Sequence, residues 1–390
     1  MREDFLLLNP GPVPLSDDVR MAMSEPMVSH RSSEFEAVYE RAQDGLDYVF
    51  ERSTLDEAET SSGGTSLVLN GTATMGMEAA VANLAGDGEE VVAVVNGKFG
   101  RRFARIADRH ADVTRVEFDW GSPVDVDAVA DAVSDDTAVV TMVHNETSTG
   151  LLNPVETVGE IAADHDARYV VDGVTSIGGD EFRVDDWHVD IAITDGQKAL
   201  AGPPGVSALY VSERAEPHIE GEDAPFYEDL DWHLRKADSH QTPFTSAVPL
   251  FRGLAVAVED IRNEGMSERI ARHRRQSAAF RASFEAMGLS LFSDLNEHST
   301  YSNTLTAVSL PDEVYGEPEA FMSEISERGV SISGGQAHLG GQIFRVSNMG
   351  NLTSEHVLRG IRTIGESFDA VGVDVDTEAA LDAARDHLRQ

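Results

Sequence analysis

Apolar residues recur along this chain with two different periods, and the switches between them mark its organisation. In 31–51, Phe35, Val38, Leu46, Val49 and Phe50 fall at helical spacing, the stripe expected of a 3.6-residue repeat. Short apolar runs then follow at Leu67–Leu69, Val91–Val95, Val139–Val143, Tyr169–Val171, Ile191–Ile193 and Val206–Val211. Amphipathic helical segments lie between most of them: Met75–Leu84, Arg101–Arg109, Val126–Val133 and Val155–His165. Strands alternating with helices predict an α/β fold whose mainly parallel sheet is covered on both faces. Between Ile193 and Val206 there is no room for a helix, so a hairpin or antiparallel exception is expected there.

The flanks read differently. Pro10, Pro12 and Pro14 block any helix in 1–20, which predicts an extended arm. Residues 53–66, rich in Ser, Thr, Glu and Gly, read as a surface loop. After about residue 245 long helical stretches (247–264 and 266–287) precede strand-like Thr304–Ser309 and Ile343–Ser347, with helices near 317–328 and 353–369. The expected organisation is an arm at 1–20, a large domain at 21–250 and a smaller α+β domain at 251–390.

Charge changes the picture. Asp and Glu total 69 against 30 Lys and Arg, a formal net charge of −39 over 390 residues. Nucleic acid and anionic membrane surfaces attract basic patches, so neither is an expected partner. The acids are scattered through periodic segments rather than gathered in a tail, which points to an acidic surface suited to concentrated salt and a halophilic source. Only Lys98, Lys198 and Lys236 are lysines. With no cysteine at all, disulfides, thiolate metal sites and cysteine nucleophiles are excluded. The start, Met1–Asp4 followed by Phe5–Leu8, is too short and too acidic for a signal peptide. No apolar run approaches the roughly 18 residues of a membrane helix, so a soluble, cytoplasmic protein is expected.

In open α/β sheets ligands bind beyond the carboxyl ends of the strands. After Leu67–Leu69 come Asn70, Gly71, Thr72, Ala73 and Thr74, a small-residue turn feeding a helix. Such a turn suits phosphate, and it equally suits an ordinary helix cap. After Tyr169–Val171 comes Asp172, a carboxylate placed to pair with a buried cation or to cap the next helix. After Ile191–Ile193 come Thr194, Asp195, Gly196, Gln197 and Lys198, and then the loop Ala199–Gly205. A lone loop lysine is usually a solvated charge. This chain has replaced nearly all its lysines, yet it keeps one between a buried-looking strand and a Gly/Pro-rich loop. Only lysine condenses readily with a carbonyl, because arginine stays protonated.

Together these segments resemble the class V aminotransferases, enzymes dependent on pyridoxal 5′-phosphate (PLP) with the fold-type-I architecture. Enzymes of the alanine–glyoxylate and serine–pyruvate kind are the nearest in pattern. The resemblance runs from Asn9–Pro12 to Phe344–Ser347 and is most specific in Val171–Ser176, Gln197–Leu200 with Gly202–Gly205, and His144–Gly150. It implies a large domain with a mainly parallel seven-stranded sheet and a smaller C-terminal α+β domain. It implies that Lys198 anchors the cofactor covalently and moves a proton, and that Asp172 pairs with the pyridine nitrogen. Gly71, Thr72, Ala73, Thr74 and Gln197 would lie at the phosphate, Ser148 or Thr149 at the ring hydroxyl, with Ser176 and Phe99 also bordering the cofactor. Phe99 would stack on the ring, and His144 lies nearby. Thr245 matches a threonine that reaches the cofactor phosphate of a neighbouring subunit, which implies a homodimer with shared sites; some relatives have a tyrosine near Thr242, where this chain departs. Arg345 would grip the substrate α-carboxylate, assisted by the backbone at Gly11.

The activity so implied moves an amino group from alanine or serine to glyoxylate or pyruvate by a ping-pong mechanism. Other class V activities share the fold: 2-aminoethylphosphonate or ureidoglycine transamination, or a lyase reaction. A non-catalytic PLP-binding protein is the reading from a different class. A cysteine desulfurase is excluded because its persulfide carrier is a thiol. No Gly-x-Gly-x-x-Gly turn follows the first strand, which speaks against a dinucleotide-binding dehydrogenase. His30, His144 and His338 lack metal-ligand spacing, so no metal is expected. The Arg272–Arg275 cluster and the acidic runs Glu220–Asp223 and Glu228–Asp231 read as solvated surface.

Overall fold

The computed structural model describes residues 5–60, 63–219 and 224–389. Met1–Asp4 and the acidic run Glu220–Asp223 therefore lie outside the described residues. The large domain is built on seven strands: β1 (Gly64–Asn70), β2 (Glu90–Val95), β3 (Asp112–Glu117), β4 (Thr137–Val143), β5 (Arg168–Asp172), β6 (Ile191–Asp195) and β7 (Val206–Ser212). Their order across the sheet is β1-β7-β6-β5-β4-β2-β3. All neighbours pair in parallel except β7, which is antiparallel to both β1 and β6. The short link before Val206 thus makes the antiparallel exception its length requires.

Strands β5, β6 and β7 are buried at every position, as continuous apolar runs demand when helices cover both faces. The covering helices include α2 (Ser33–Glu51), α3 (Ala73–Leu84), α4 (Lys98–Ala107), α5 (Val126–Ala132) and α6 (Val155–Asp164). Edge strand β3 carried no apolar signal because it is half solvated, its side chains reading Asp, Val, Thr, Arg, Val and Glu.

A second core belongs to a three-stranded antiparallel sheet, Leu305–Ser309 and Ser333–Gly334 flanking Ile343–Ser347. Helices α9 (Met266–Ala286), α10 (Glu319–Glu327), α11 (Ser354–Ala370) and α12 (Thr377–Leu388) line it. The two cores do not divide at 250/251. Helix α8 (Val248–Glu264) crosses that point and sends Phe251, Leu254, Val258 and Ile261 into the large core. Small-domain packing begins within α9, at Ala279 and Phe280.

Four local expectations need correction. The segment 53–66 is not a plain surface loop: Ser53, Thr54 and Thr60 are buried, and β1 starts at Gly64. Its backbone is held by Phe182 N–H donating to Ser53 O and Asp185 N–H to Thr60 O. In the Arg272–Arg275 cluster, His273 is fully buried, and Arg272, Arg274 and Arg275 pair with Glu264, Glu181 and Glu268. The acids at 228–231 are half-buried, with Asp229 accepting from Trp232 N–H to cap the helix Leu230–Ala237. The arm is extended only as far as Ser16, which caps the helix Asp17–Met23.

That arm ties the domains together. Leu6 and Leu7 pair in parallel with Val330 and Ser331, and Leu8 O accepts from Ser347 N–H. A few residues later Val13 N–H donates to Gln197 O at 3.1 Å. The arm thus connects the strand carrying Arg345 to the loop carrying Lys198.

Candidate active site

Every sequence-nominated group except Thr245 sits around the carboxyl ends of the parallel strands or on the arm and small-domain strand that close over them. Asp172 ends β5, with one carboxylate oxygen accepting from Val174 N–H at 2.9 Å and no cation within ion-pairing distance among the described residues. Burial pushes its carboxyl up to about 7; nearby Glu146 adds to the rise, while the Val174 N–H, Arg102 and Lys198 oppose it. Burial likewise pulls the Lys198 amine down to about 8, against the raising effect of Asp195 and Asp172. The amine donates to Pro10 O. Gly11 lies so close that a Cβ there would stand 2.5 Å from Lys198 Cδ, and its φ of +90° is in the region that favours glycine.

Behind Lys198 the loop is firmly fixed. Gly202 N–H donates to Gly196 O at 2.7 Å, and Ala201 N–H to Lys198 O at 2.9 Å. Arg269, fully buried on α9, donates to Ala199 O at 2.7 Å and to Gly178 O at 2.6 Å, and pairs with Glu264. No sequence signal separated this arginine from the other bases of its helix.

Arg345 enters from the small domain, 3 % exposed. Its guanidinium donates to Thr147 O at 2.8 Å and, through two nitrogens, to Gly334 O at 3.1 and 2.9 Å. Both partners are carbonyls, and no carboxylate pairs with it among the described residues. Two of its five N–H donors therefore have no protein acceptor. Burial lowers its pKa to about 10, which still leaves it fully cationic at neutral pH.

Glu146 is the central residue that sequence reading missed. It is fully buried. One oxygen accepts from Ser148 N–H at 3.0 Å and Ser148 Oγ at 2.6 Å; the other accepts from Phe99 N–H at 3.0 Å and Gly100 N–H at 3.1 Å. It thereby caps the first turn of α4 and fixes the loop at 146–148. Ser148 Oγ in turn accepts from Lys98 N–H at 3.0 Å. Thr149 is buried, its hydroxyl contacting Glu146 O at 3.4 Å. Phe99 is half-buried beneath Arg102, whose guanidinium lies 4.8 Å from the ring centre and donates to Thr74 Oγ1 at 2.9 Å. Arg102 also went unmarked in the sequence; its helical spacing made it look like part of a solvated face.

His144 is fully enclosed. Its Nδ1 meets Ser176 Oγ at 2.9 Å, and its ring packs edge-on against Phe182 and Trp187. Burial takes its pKa down to about 3, so it is neutral. At the turn after β1, Gly71 N–H donates to Gly205 O, Thr72 stands at the N-cap position of α3 without a side-chain cap bond, and Ala73 N–H donates to Asp195 at 3.0 Å. Thr245 stands apart, exposed in the loop that follows Gln241.

The family model described as aminotransferase class-V matches residues 20–358. The chain belongs to the class V aminotransferases. It is a PLP-dependent transaminase. This aminotransferase is 35% identical over 390 residues to an uncharacterized aminotransferase of Methanocaldococcus jannaschii, covering 98% of this chain and 97% of that one. It is 32% identical over 391 residues to the L-aspartate–glyoxylate aminotransferase of Paracoccus denitrificans, covering 98% and 95%. The crystal structure of pyridoxamine–pyruvate aminotransferase from Mesorhizobium loti superposes with a TM-score of 0.90 at 26% identity, covering 98% and 97%.

The aminotransferase's own residues fit the cofactor. A buried carboxylate without a cation suits a protonated ring nitrogen, and an amine of lowered pKa suits a carbonyl. The helix start at 72–74, with its backbone N–H groups, suits a phosphate group at the far end. Among the described residues no helix is long and apolar enough to cross a membrane.

Proposed function

We propose that this transaminase carries an amino group from a small amino acid, alanine or serine, to a small 2-oxo acid, glyoxylate or pyruvate, in a ping-pong cycle. The observation that carries the reading is a set of three enclosed groups, none of them in an ion pair among the described residues: the Lys198 amine, the Asp172 carboxylate and the Arg345 guanidinium. When bound, PLP supplies an aldehyde carbon to receive the amino group and a pyridine ring that draws electrons from the substrate Cα–H bond.

Arg345 offers its two remaining N–H donors to the substrate carboxylate. A planar guanidinium takes both oxygens and fixes the orientation of Cα, with the Gly11 backbone lining the same space. Lys198 holds the cofactor, and once freed its amine takes the Cα proton; a pKa near 8 leaves a useful fraction of free base at neutral pH. Asp172 holds the positive ring nitrogen and keeps water from it. Ser148 already donates its hydroxyl hydrogen bond to Glu146, so it meets the ring hydroxyl as an acceptor. Thr149 and Ser176 buttress it, and Phe99 packs on the ring. Gly71, Thr72, Ala73, Thr74 and Gln197 receive the phosphate. In the homodimer that is part of this reading, Thr245 serves the neighbouring subunit's phosphate site, as its exposure allows. We place the enzyme in the cytoplasm.

A second reading of the donor has its own support. Lys98 and Arg102 are half-buried beside Phe99, and neither forms an ion pair among the described residues. They give a donor with a second carboxylate, such as aspartate, a place to bind.

The test is an absorbance spectrum of protein purified in molar salt, before and after L-alanine, L-serine or L-aspartate. A band near the visible edge that gives way to a shorter-wavelength band supports transamination, and the most effective donor decides between the readings. In Lys198→Ala the conversion should be lost. A protein with no cofactor band after PLP is added is not a working transaminase.

A further inference from the structure

Asp195 is a carboxylate standing where a phosphate should find only donors. It ends β6, three residues before Lys198, and its side chain turns toward α3. One oxygen accepts from Ala73 N–H at 3.0 Å, in the first turn of that helix. The other oxygen is buried without a hydrogen bond of good geometry, the Gln197 amide and the Gly196 N–H lying near enough only to favour the charged form, in a residue 4 % exposed. Directly across the strand pair lies Ser207, fully buried, whose hydroxyl also lacks a partner. An N–H group at a helix start is where an anion is best held. Here the protein's own carboxylate holds it.

We propose that Asp195 takes the place of the cofactor's phosphate at the head of α3, and that loading the cofactor requires Asp195 to take up a proton. The inference rests on the reading of 71–74 as the phosphate site. An ionised carboxylate and a phosphate dianion sharing one turn of backbone repel each other strongly in a buried setting. Protonation removes that repulsion and turns Asp195 into a donor. Lys198, from the following loop, is the titratable group facing it; Gln197 comes from the same loop, Ser207 from β7 and the Ala73 N–H from α3. Lys198 is itself shared with Asp172 and with the charges of Arg345 and Arg102, so no cation is dedicated to Asp195. Burial already raises its carboxyl above the ordinary value, and a bound dianion raises it further.

The sign follows. Proton uptake on binding makes affinity rise as pH falls. Asp195→Asn keeps an acceptor for Ala73 N–H and removes the charge. Apoprotein in molar salt is titrated with PLP by absorbance, and with inorganic phosphate by calorimetry in two buffers of different ionisation enthalpy. At about pH 8.5 the variant should bind PLP about tenfold tighter or more, a ratio shrinking toward one near pH 5.5. Wild-type protein should take up about one proton per phosphate at the higher pH, where phosphate is already a dianion, and the variant none. Equal affinities at both pH values, or no proton uptake by the wild type, overturn the proposal; the calorimetric arm needs no variant to fold. If wild-type protein binds phosphate with proton uptake but no PLP, the transaminase reading fails and Asp195 stands as a gate for another phosphate ligand. If neither ligand binds at any pH, 71–74 is not a phosphate site and the inference falls with it.

Discussion

Arg345 is the residue whose deletion speaks most directly to mechanism. It is held by three hydrogen bonds to two carbonyls, which fix its plane and leave two donors open. Arg345→Gln should lower kcat/KM for the amino donor by about a hundredfold, the loss of two charge-assisted bonds worth roughly 3 kcal/mol together. The cofactor band should be unchanged. A donor KM that stays at the wild-type value would show that the carboxylate is gripped elsewhere. Asp172 gives a prediction in pH. Its folded-state carboxyl lies near 7, well above the ordinary value of 3.8, so between these the folded apoprotein holds a proton that the unfolded chain has released. Folding stability from this group therefore falls as pH rises through the window. Asp172→Asn removes the fall: the variant apoprotein should match wild type near pH 4 and exceed it above pH 7 by up to about 4 kcal/mol. A difference that stays flat across that range, measured by urea melts, would mean Asp172 has a cation partner of its own. Lys198, Asp172 and Arg345 stood out as candidates because each lies within or soon after an apolar run and is a residue type out of keeping with burial. Glu146 and Asp195 did not, because in a chain so rich in acids a carboxylate carries no contrast.

At the scale of elements, the start of α4 and the loop 146–148 form one interlocked unit. Gly97 precedes the helix, and a Cβ there would stand 2.2 Å from Glu146 Cγ. Gly97→Ala should cost about 1–3 kcal/mol through overpacking, and Glu146→Ala about 3 kcal/mol by stranding the Phe99, Gly100 and Ser148 donors. In the double variant the new methyl enters the space the carboxylate left. The combined loss should then be smaller than the sum by at least about 1 kcal/mol. Strict additivity in a double-mutant cycle would show that the two residues act separately. The runs that became β2 and β4–β7 were visible because central strands are buried on both faces and so are mostly apolar, and β1, at one sheet edge, is still buried from Ser66 to Leu69. β3 and α12 were hidden for the opposite reason: an edge strand and a terminal helix each bury only part of their surface, and their apolar signal is diluted. The 53–66 segment misled because its buried hydroxyls bond to backbone, as Ser53 does with Val49 O and Thr60 with Phe50 O, and polarity alone looks the same inside as out.

For the whole molecule the governing quantity is a net charge of −39. Most arginines that form ion pairs do so at the surface, as Arg41 does with Glu259 and Arg385 with Asp382, where such pairs contribute about 0–1 kcal/mol each. Thirty bases cannot neutralise sixty-nine acids, so the unpaired carboxylates repel one another over distances set by ionic strength. Raising KCl from about 0.1 M to about 1 M shortens the screening length from roughly 10 Å to roughly 3 Å. The melting temperature should rise steeply over that interval and then flatten. Sulfate, which also strengthens apolar burial, should continue the rise where chloride has levelled. The buried charges around Lys198 should respond differently, because enclosed pairs are screened much less. The position of the cofactor band and its conversion by donor should therefore stay constant wherever the protein is folded. A melting temperature indifferent to KCl would mean that the acidic surface is compensated by pairing rather than by salt. A cofactor band that shifts with salt, in protein that remains folded, would mean instead that the site is open to the solvent from which Arg345 and Asp172 are shielded.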